Sequence, residues 1–109
     1  MRIGSLRHRI TLQARIESQD LYGQPLETWL DSAPVFAEVA ALSGRELFQA
    51  QQVNAETTTR IRIRYRDDVT PALRIKFGAI LYNIQSVINL ENRNRELVLM
   101  CSSGVNDGG

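Results

Sequence analysis

Polar and apolar residues alternate without a break along Arg60-Ile61-Arg62-Ile63-Arg64-Tyr65-Arg66, preceded by Thr57, Thr58 and Thr59. Side chains of a strand point to opposite faces with period two, so this pattern predicts a strand over residues 57–66. Ile61, Ile63 and Tyr65 share one face and imply a sheet over a core. Arg60, Arg62, Arg64 and Arg66 share the other, as a ladder of guanidinium groups roughly 6–7 Å apart. The β-branched threonines suit a pleated surface. The ladder has two readings. One is a solvated outer face with acidic partners on a neighbouring strand. The other is an interface with nucleic acid or with an acidic protein surface.

Similar alternation marks further strands. Leu6 to Gln13 places Leu6, His8, Ile10 and Leu12 on one side. Val35 to Leu42 sets Val35, Ala37, Val39 and Ala41 against Phe36, Glu38 and Ala40. Its small alanines on both faces suit a strand covered on each side or approached by another chain. Arg74 to Phe77 is short and ends at Gly78. Ile80 to Ile88 is expected to place Ile80, Tyr82, Ile84 and Ile88 on one face, with Leu81, Asn83, Gln85 and Val87 on the other. Glu96 to Ser102 sets Leu97, Leu99 and Cys101 against Val98 and Met100.

Between the strands lie less regular stretches. Ala14 to Pro34 reads as mostly loop, with a turn at Gly23 and Pro25 and a short strand at Glu27-Thr28-Trp29-Leu30. Trp29 reads as a packing anchor. Ser43-Gly44-Arg45-Glu46 has capping-box spacing, which predicts a helix over residues 44–53. That helix is too short to stand alone and must dock on the sheet or a partner. Asp67-Asp68 before Pro71 reads as a turn, ahead of any acid–base or metal role. Asn89 to Arg95 is a polar connection. The sum is a mainly β fold: a small β-barrel or sandwich of about six strands, one short α-helix and long inter-strand loops. A single domain is expected over residues 1–102, with a flexible tail over 103–109.

Composition changes this picture little. The chain has 109 residues, 13 Lys plus Arg against 12 Asp plus Glu, and a net charge of +1. Duplex DNA binders usually carry a larger positive excess, so the balance argues against DNA as the main partner. Only Lys76 is a lysine. Arginine binds carboxylate and phosphate through a planar fork, which favours contact surfaces. Cys101 stands alone, so no internal disulfide forms, and a reducing compartment fits. Met1 to Leu6 lacks the apolar core of a secretory signal, and no apolar run approaches the roughly 20 residues that span a bilayer. A soluble protein that stays where it is made is expected.

Catalytic chemistry finds no footing. The chain has no glycine-rich phosphate loop, no Cys-x-x-Cys, no His-x-x-x-His and no nucleophile elbow. His8 is the only histidine and has no cluster of ligands, so a structural role is expected for it. No enzyme activity, metal or cofactor is expected.

Several short motifs occur in a fixed order: Gly4-Ser5-Leu6-Arg7-His8-Arg9-Ile10, Asp20-Leu21-Tyr22-Gly23, Glu27-Thr28-Trp29, Phe36-Ala37-Glu38-Val39, Ser43-Gly44-Arg45-Glu46, Ile61-Arg62-Ile63-Arg64-Tyr65 and Tyr82-Asn83-Ile84. In this combination, from about Gly4 to Cys101, the chain resembles the head–tail joining proteins of tailed bacteriophages, the adaptors or stoppers that close the head. The resemblance implies a small β-barrel that forms a ring below the portal and adaptor, expected to be twelve-fold, which closes the DNA channel and docks the tail. It implies portal, adaptor and tail proteins as partners, self-association into the ring, contact with packaged DNA in the channel and no membrane partner, in a virion assembled in the host bacterial cytoplasm. Arg60, Arg62, Arg64 and Arg66 become candidate subunit-interface or channel residues. Ser43, Gly44, Arg45, Glu46, Gln49 and Gln52 become a candidate plug or docking loop, with Ala14 to Pro34 second. Two other readings stand beside it: a tail-completion or tail-terminator protein, and a nucleic-acid-binding barrel of the oligonucleotide-binding type. The second is weakened because Tyr65 faces away from the arginines.

Overall fold

The computed structural model describes residues 6–32 and 34–103, without the side chains of Ser18 and Glu27. The amino-terminal residues 1–5 and the expected tail from 104 onward lie outside the described residues; Ser103 itself is the last residue of a strand.

Seven strands and one helix follow in order: β1 (His8–Gln19), β2 (Pro25–Asp31), β3 (Val35–Ala41), α1 (Gly44–Val53), β4 (Thr59–Arg64), β5 (Arg74–Phe77), β6 (Ile80–Asn89) and β7 (Glu96–Ser103). Neighbouring strands pair antiparallel in the order β1-β3-β4-β7-β6-β5, and β5 returns to β1. This closes a six-stranded barrel, which removes the free strand edges of an open sheet. β2 is the seventh strand and pairs only with the far half of β1.

The alternation in the sequence places the core. Ile61 and Ile63 of β4 are fully buried, opposite Leu99 and Leu97 of β7 on one side and Val39 and Ala37 of β3 on the other. Ile10, Leu12, Ile75, Tyr82, Ile84 and Cys101 complete the interior. β4 is shorter than the alternation suggests: Tyr65 and Arg66 have left the ladder, and Tyr65 is held by its amide donating to the carbonyl of Arg95 at 3.0 Å.

Burial pushes the Cys101 thiol up to about 12, so it stays protonated and inert at neutral pH. The unfolded thiol loses its proton near 9, while the native one holds it to about 12. Across that window the unfolded state binds fewer protons, so stability falls as pH rises, by ~1.4 kcal/mol per pH unit for one group. Denaturant titrations at stepped pH should show this slope, and Cys101→Ala should lose its share.

Three expectations are corrected. Residues 14–19 and 25–31 are not mostly loop: they form an antiparallel hairpin that continues β1 beyond the barrel. Trp29 sits on the face of Arg15 and Glu17, where it interrupts the alternation of Ile16, Leu26 and Leu30 on the other. The face carried by Val87 and Ile88 is also reversed. A β-bulge between Ile84 and Ser86 inserts an extra residue, so Val87 turns toward the core and Ile88 turns outward. The capping box does not form either. Helix α1 has the expected bounds, but the Ser43 side chain makes no cap hydrogen bond and the Glu46 carboxylate pairs with Arg60 instead.

Candidate functional site

Among the described residues no group of three or more His, Cys, Asp or Glu could hold a metal ion; the candidate sites are surfaces. Three are built by the fold: the arginine ladder, the hairpin arm and the helix.

The ladder lies on the barrel's outer face, as the alternation requires. Most of it is matched by carboxylates. Arg60 pairs with Glu46 of α1. Arg62 faces Glu38 in register on β3, with its Nη2 donating to Oε2 at 3.1 Å, and its Nε lies 3.4 Å from Oε2 of Glu96 on β7. Arg66 forks onto Asp68 through Nε and Nη2 at 3.0 and 2.9 Å. That hydrogen bond raises the Arg66 guanidinium and holds the Asp68 carboxyl below its ordinary range. Arg64 is exposed at the barrel end, opposite Glu96 in register.

The arm is fixed at its root by a network that the sequence does not announce. Arg74, at the start of β5, is almost wholly buried. Its Nε donates to Oε1 of Gln13 at 2.6 Å, and the Gln13 amide donates to Oδ1 of Asp31 at 2.6 Å. The guanidinium also lies 4.0 Å from the ring centroid of Trp29. Trp29 therefore acts as an anchor, as expected, but for an arginine. Desolvation strengthens such cation–π contacts. Barrel strand β5, the long strand β1 and the arm strand β2 meet in this one cluster.

At the far end of the arm the turn is closed by its own hydrogen bonds. One carboxylate oxygen of Asp20 accepts from the amides of Tyr22 and Gln24 at 2.8 and 2.9 Å, and Gly23 takes φ 81° and donates to the Asp20 carbonyl. Only glycine adopts that φ without strain. The turn presents Leu21 at 99% and Tyr22 at 90% exposure.

Helix α1 leaves and re-enters the barrel at the end opposite the arm, between β3 and β4, and lies against the outer face. Asn54 donates to Gln85 of β6 at 2.9 Å, and Gln51 donates to the Thr57 carbonyl at 3.1 Å. The loop candidates Ser43, Gly44, Arg45, Glu46, Gln49 and Gln52 are all exposed, and no residue of the helix is buried. Beneath it runs a cleft of about 410 Å³ walled by Ala50, Val53, Ile88 and Met100. His8 sits exposed at the barrel rim, with its ring 5.1 Å from that of Phe77 in edge contact. Its environment is structural.

Arg60, Arg62 and Arg64 thus stay together on one face, and the loop candidates on and just before α1 adjoin it through the Arg60–Glu46 pair. The alternation found the ladder. It did not find the Gln13–Asp31–Arg74–Trp29 cluster, whose members lie up to 61 residues apart. The Leu21–Tyr22 tip carried one signal: two large hydrophobes inside an Asp-x-x-Gly turn.

Known proteins share this architecture. The solution structure of protein SF1141 from Shigella flexneri 2a superposes with a TM-score of 0.76 at 33% identity, covering 98% of this chain and all of that one. A chain in the virion of a native gene transfer agent particle has the same fold, with a TM-score of 0.60 at 18% identity over 93% of this chain and 97% of its own. In sequence, the head completion protein gp7 of Enterobacteria phage HK97 is 34% identical over 110 residues, which covers 95% of this chain and 97% of that protein. The family model for phage head completion proteins matches residues 1–104. This chain belongs to the phage head completion protein family.

Proposed function

We propose that this chain is a structural subunit that completes the phage head and joins it to the tail, forming a ring below the portal and adaptor. The observation that carries the reading is the two-ended build of the barrel. A joining part needs two unlike surfaces. Here the arm, the Tyr65–Leu73 connection and the Leu90–Arg95 connection crowd one end, and α1 and the β5–β6 turn occupy the other. Head-to-tail contacts between unlike faces are also what builds a closed ring. Docking on a preassembled platform raises local concentration, so individually weak contacts suffice.

The arginine ladder fits protein contact better than phosphate tracking. Arg60, Arg62 and Arg66 already have carboxylate partners, and releasing them for phosphate would forfeit those pairs. Arg64 is the ladder member best placed to meet a neighbour. On α1, Arg45, Gln49 and Gln52 supply a polar docking surface rather than a buried one.

Arg64→Ala, which avoids setting a second carboxylate opposite Glu96, is expected to leave stability within about 0.5 kcal/mol, as for most exposed sites. It should weaken binding to filled heads about tenfold or more, the scale of a lost close charge pair. Unchanged head binding would make Arg64 a solvated residue. Electron microscopy tests the reading as a whole. Cells producing phage without this chain should accumulate tailless heads that leak DNA; normal tailed particles would contradict it.

A further inference from the structure

The hairpin arm is an amphipathic ribbon whose apolar face, among the described residues, is approached only at its root, where Ala14 and Leu30 line a cleft shared with Asp68 and Leu73. In the β1–β2 register Ala14, Ile16, Leu26, Thr28 and Leu30 share a face, and this face continues the inward side of Ile10 and Leu12. Inside the barrel that side is buried. Beyond the barrel Ile16, Leu26 and Leu30 are 40–53% exposed, and the hydrogen-bonded turn adds Leu21 and Tyr22. A two-stranded ribbon is at best marginal in water by itself, and a contiguous apolar patch of this kind marks an interaction surface.

The same chain carries a receptacle. The cleft beneath α1 exposes mostly apolar surface, from Ala50, Val53, Ile88 and Met100, with polar side chains such as Gln49 and Asn54 among its lining. Val53 on its edge is 90% exposed. The arm cannot fill this cleft within one molecule. It is latched at its root by Arg74 and points away from the end where α1 is attached.

We propose that the arm of one copy lies on the next copy, with Leu21 and Tyr22 seated in its α1 cleft. The occupant is a second copy because knob and receptacle are both apolar, both unfilled, and set on different faces of one chain. Such a pair of unlike patches repeats head to tail. Reach also fits. Seven strand residues extend about 20 Å, close to the narrow dimensions of the molecule, which measures 49 × 28 × 26 Å. The Tyr22 hydroxyl can stay hydrogen-bonded at the rim, as a buried tyrosine requires. A tip and one ribbon face form a small interface by the standard of stable complexes, roughly 1,200–2,000 Å². The contact therefore needs the aligning platform of the joining reading above, on which this inference rests.

Particles carrying the double variant Tyr22→Cys with Val53→Cys test it under mild oxidation. Both positions are exposed, so melting temperatures should match the wild type, and buried Cys101 should not compete. The expected result is a ladder of disulfide-linked multimers of this chain on a non-reducing gel, absent from either single variant. If the chain is present in the particles but no ladder forms, the inference is overturned and the joining reading survives. A bifunctional thiol reagent that links Tyr22→Cys to a different virion protein overturns it as well. Particles that lack the chain altogether contradict the joining reading itself.

Discussion

Replacing Ile63 by alanine is expected to destabilise the barrel by about 2–5 kcal/mol, the range for truncating a fully buried branched side chain. Ile63 has no exposed surface and stands in register between Ala37 on β3 and Leu97 on β7. Neighbouring strands fix its surroundings on both sides, so the cavity cannot readily collapse. A domain of this size has only about 5–15 kcal/mol in hand. At roughly 4–8 °C per kcal/mol, the melting temperature should fall by about 10 °C or more. Ile16→Ala removes the same atoms from the exposed arm and should cost under about 1 kcal/mol. Equal losses at the two positions would mean that the barrel does not enclose its β4 face.

Arg74→Ala should be nearly as costly, at about 2–4 kcal/mol, for a different reason. The substitution removes a charge-assisted donor and leaves Oε1 of Gln13 without the Arg74 guanidinium beside Asp31, and it strips the cation from the Trp29 face. The loss should be local as well as global. Hydrogen exchange is expected to accelerate at β2 amides, while β4 and β7 keep much more protection. Arg74→Lys should recover only part, because an ammonium cannot stack a planar fork on the indole while donating to Gln13. If Arg74→Ala melted like the wild type, the latch would be incidental and the direction of the arm would need another cause.

Legibility in the sequence followed enclosure. Ile61 and Ile63 are buried while the arginines between them are not, so period-two alternation exposed β4 and its core face; in β7 Val98 is buried along with Leu97 and Leu99. The short helix was legible from spacing over residues 44–53. Its capping chemistry was not, because Glu46 has a choice between the helix terminus and Arg60, and only tertiary placement brings Arg60 near. The outward turn of Ile88 depends on one bulged residue at Gln85, which leaves no mark in hydrophobicity. The arm escaped because Trp29 on its polar face interrupts the alternation of Ile16, Leu26 and Leu30. Arg74 escaped because burial of an arginine requires Gln13 and Trp29 to arrive from distant strands.

The arginine ladder shows how far pattern alone reaches. Alternation put the four arginines on one side of the extended stretch, and their residue type suggested contact with acids. Register on β3 and β7 then supplied Glu38 and Glu96, and the helix supplied Glu46. The surface proposed above for contact with other molecules is smaller than the sequence suggests: Arg64, the outer side of α1 and the arm.

Reconstitution tests the central claim most directly. DNA-filled heads made without this chain are mixed with the purified protein and then with free tails, and infectious particles are counted. The account predicts that the added chain binds the heads and restores tailed, infectious particles in proportion to the amount bound. Heads that accept tails equally well without the protein, or that never bind it, would contradict the account.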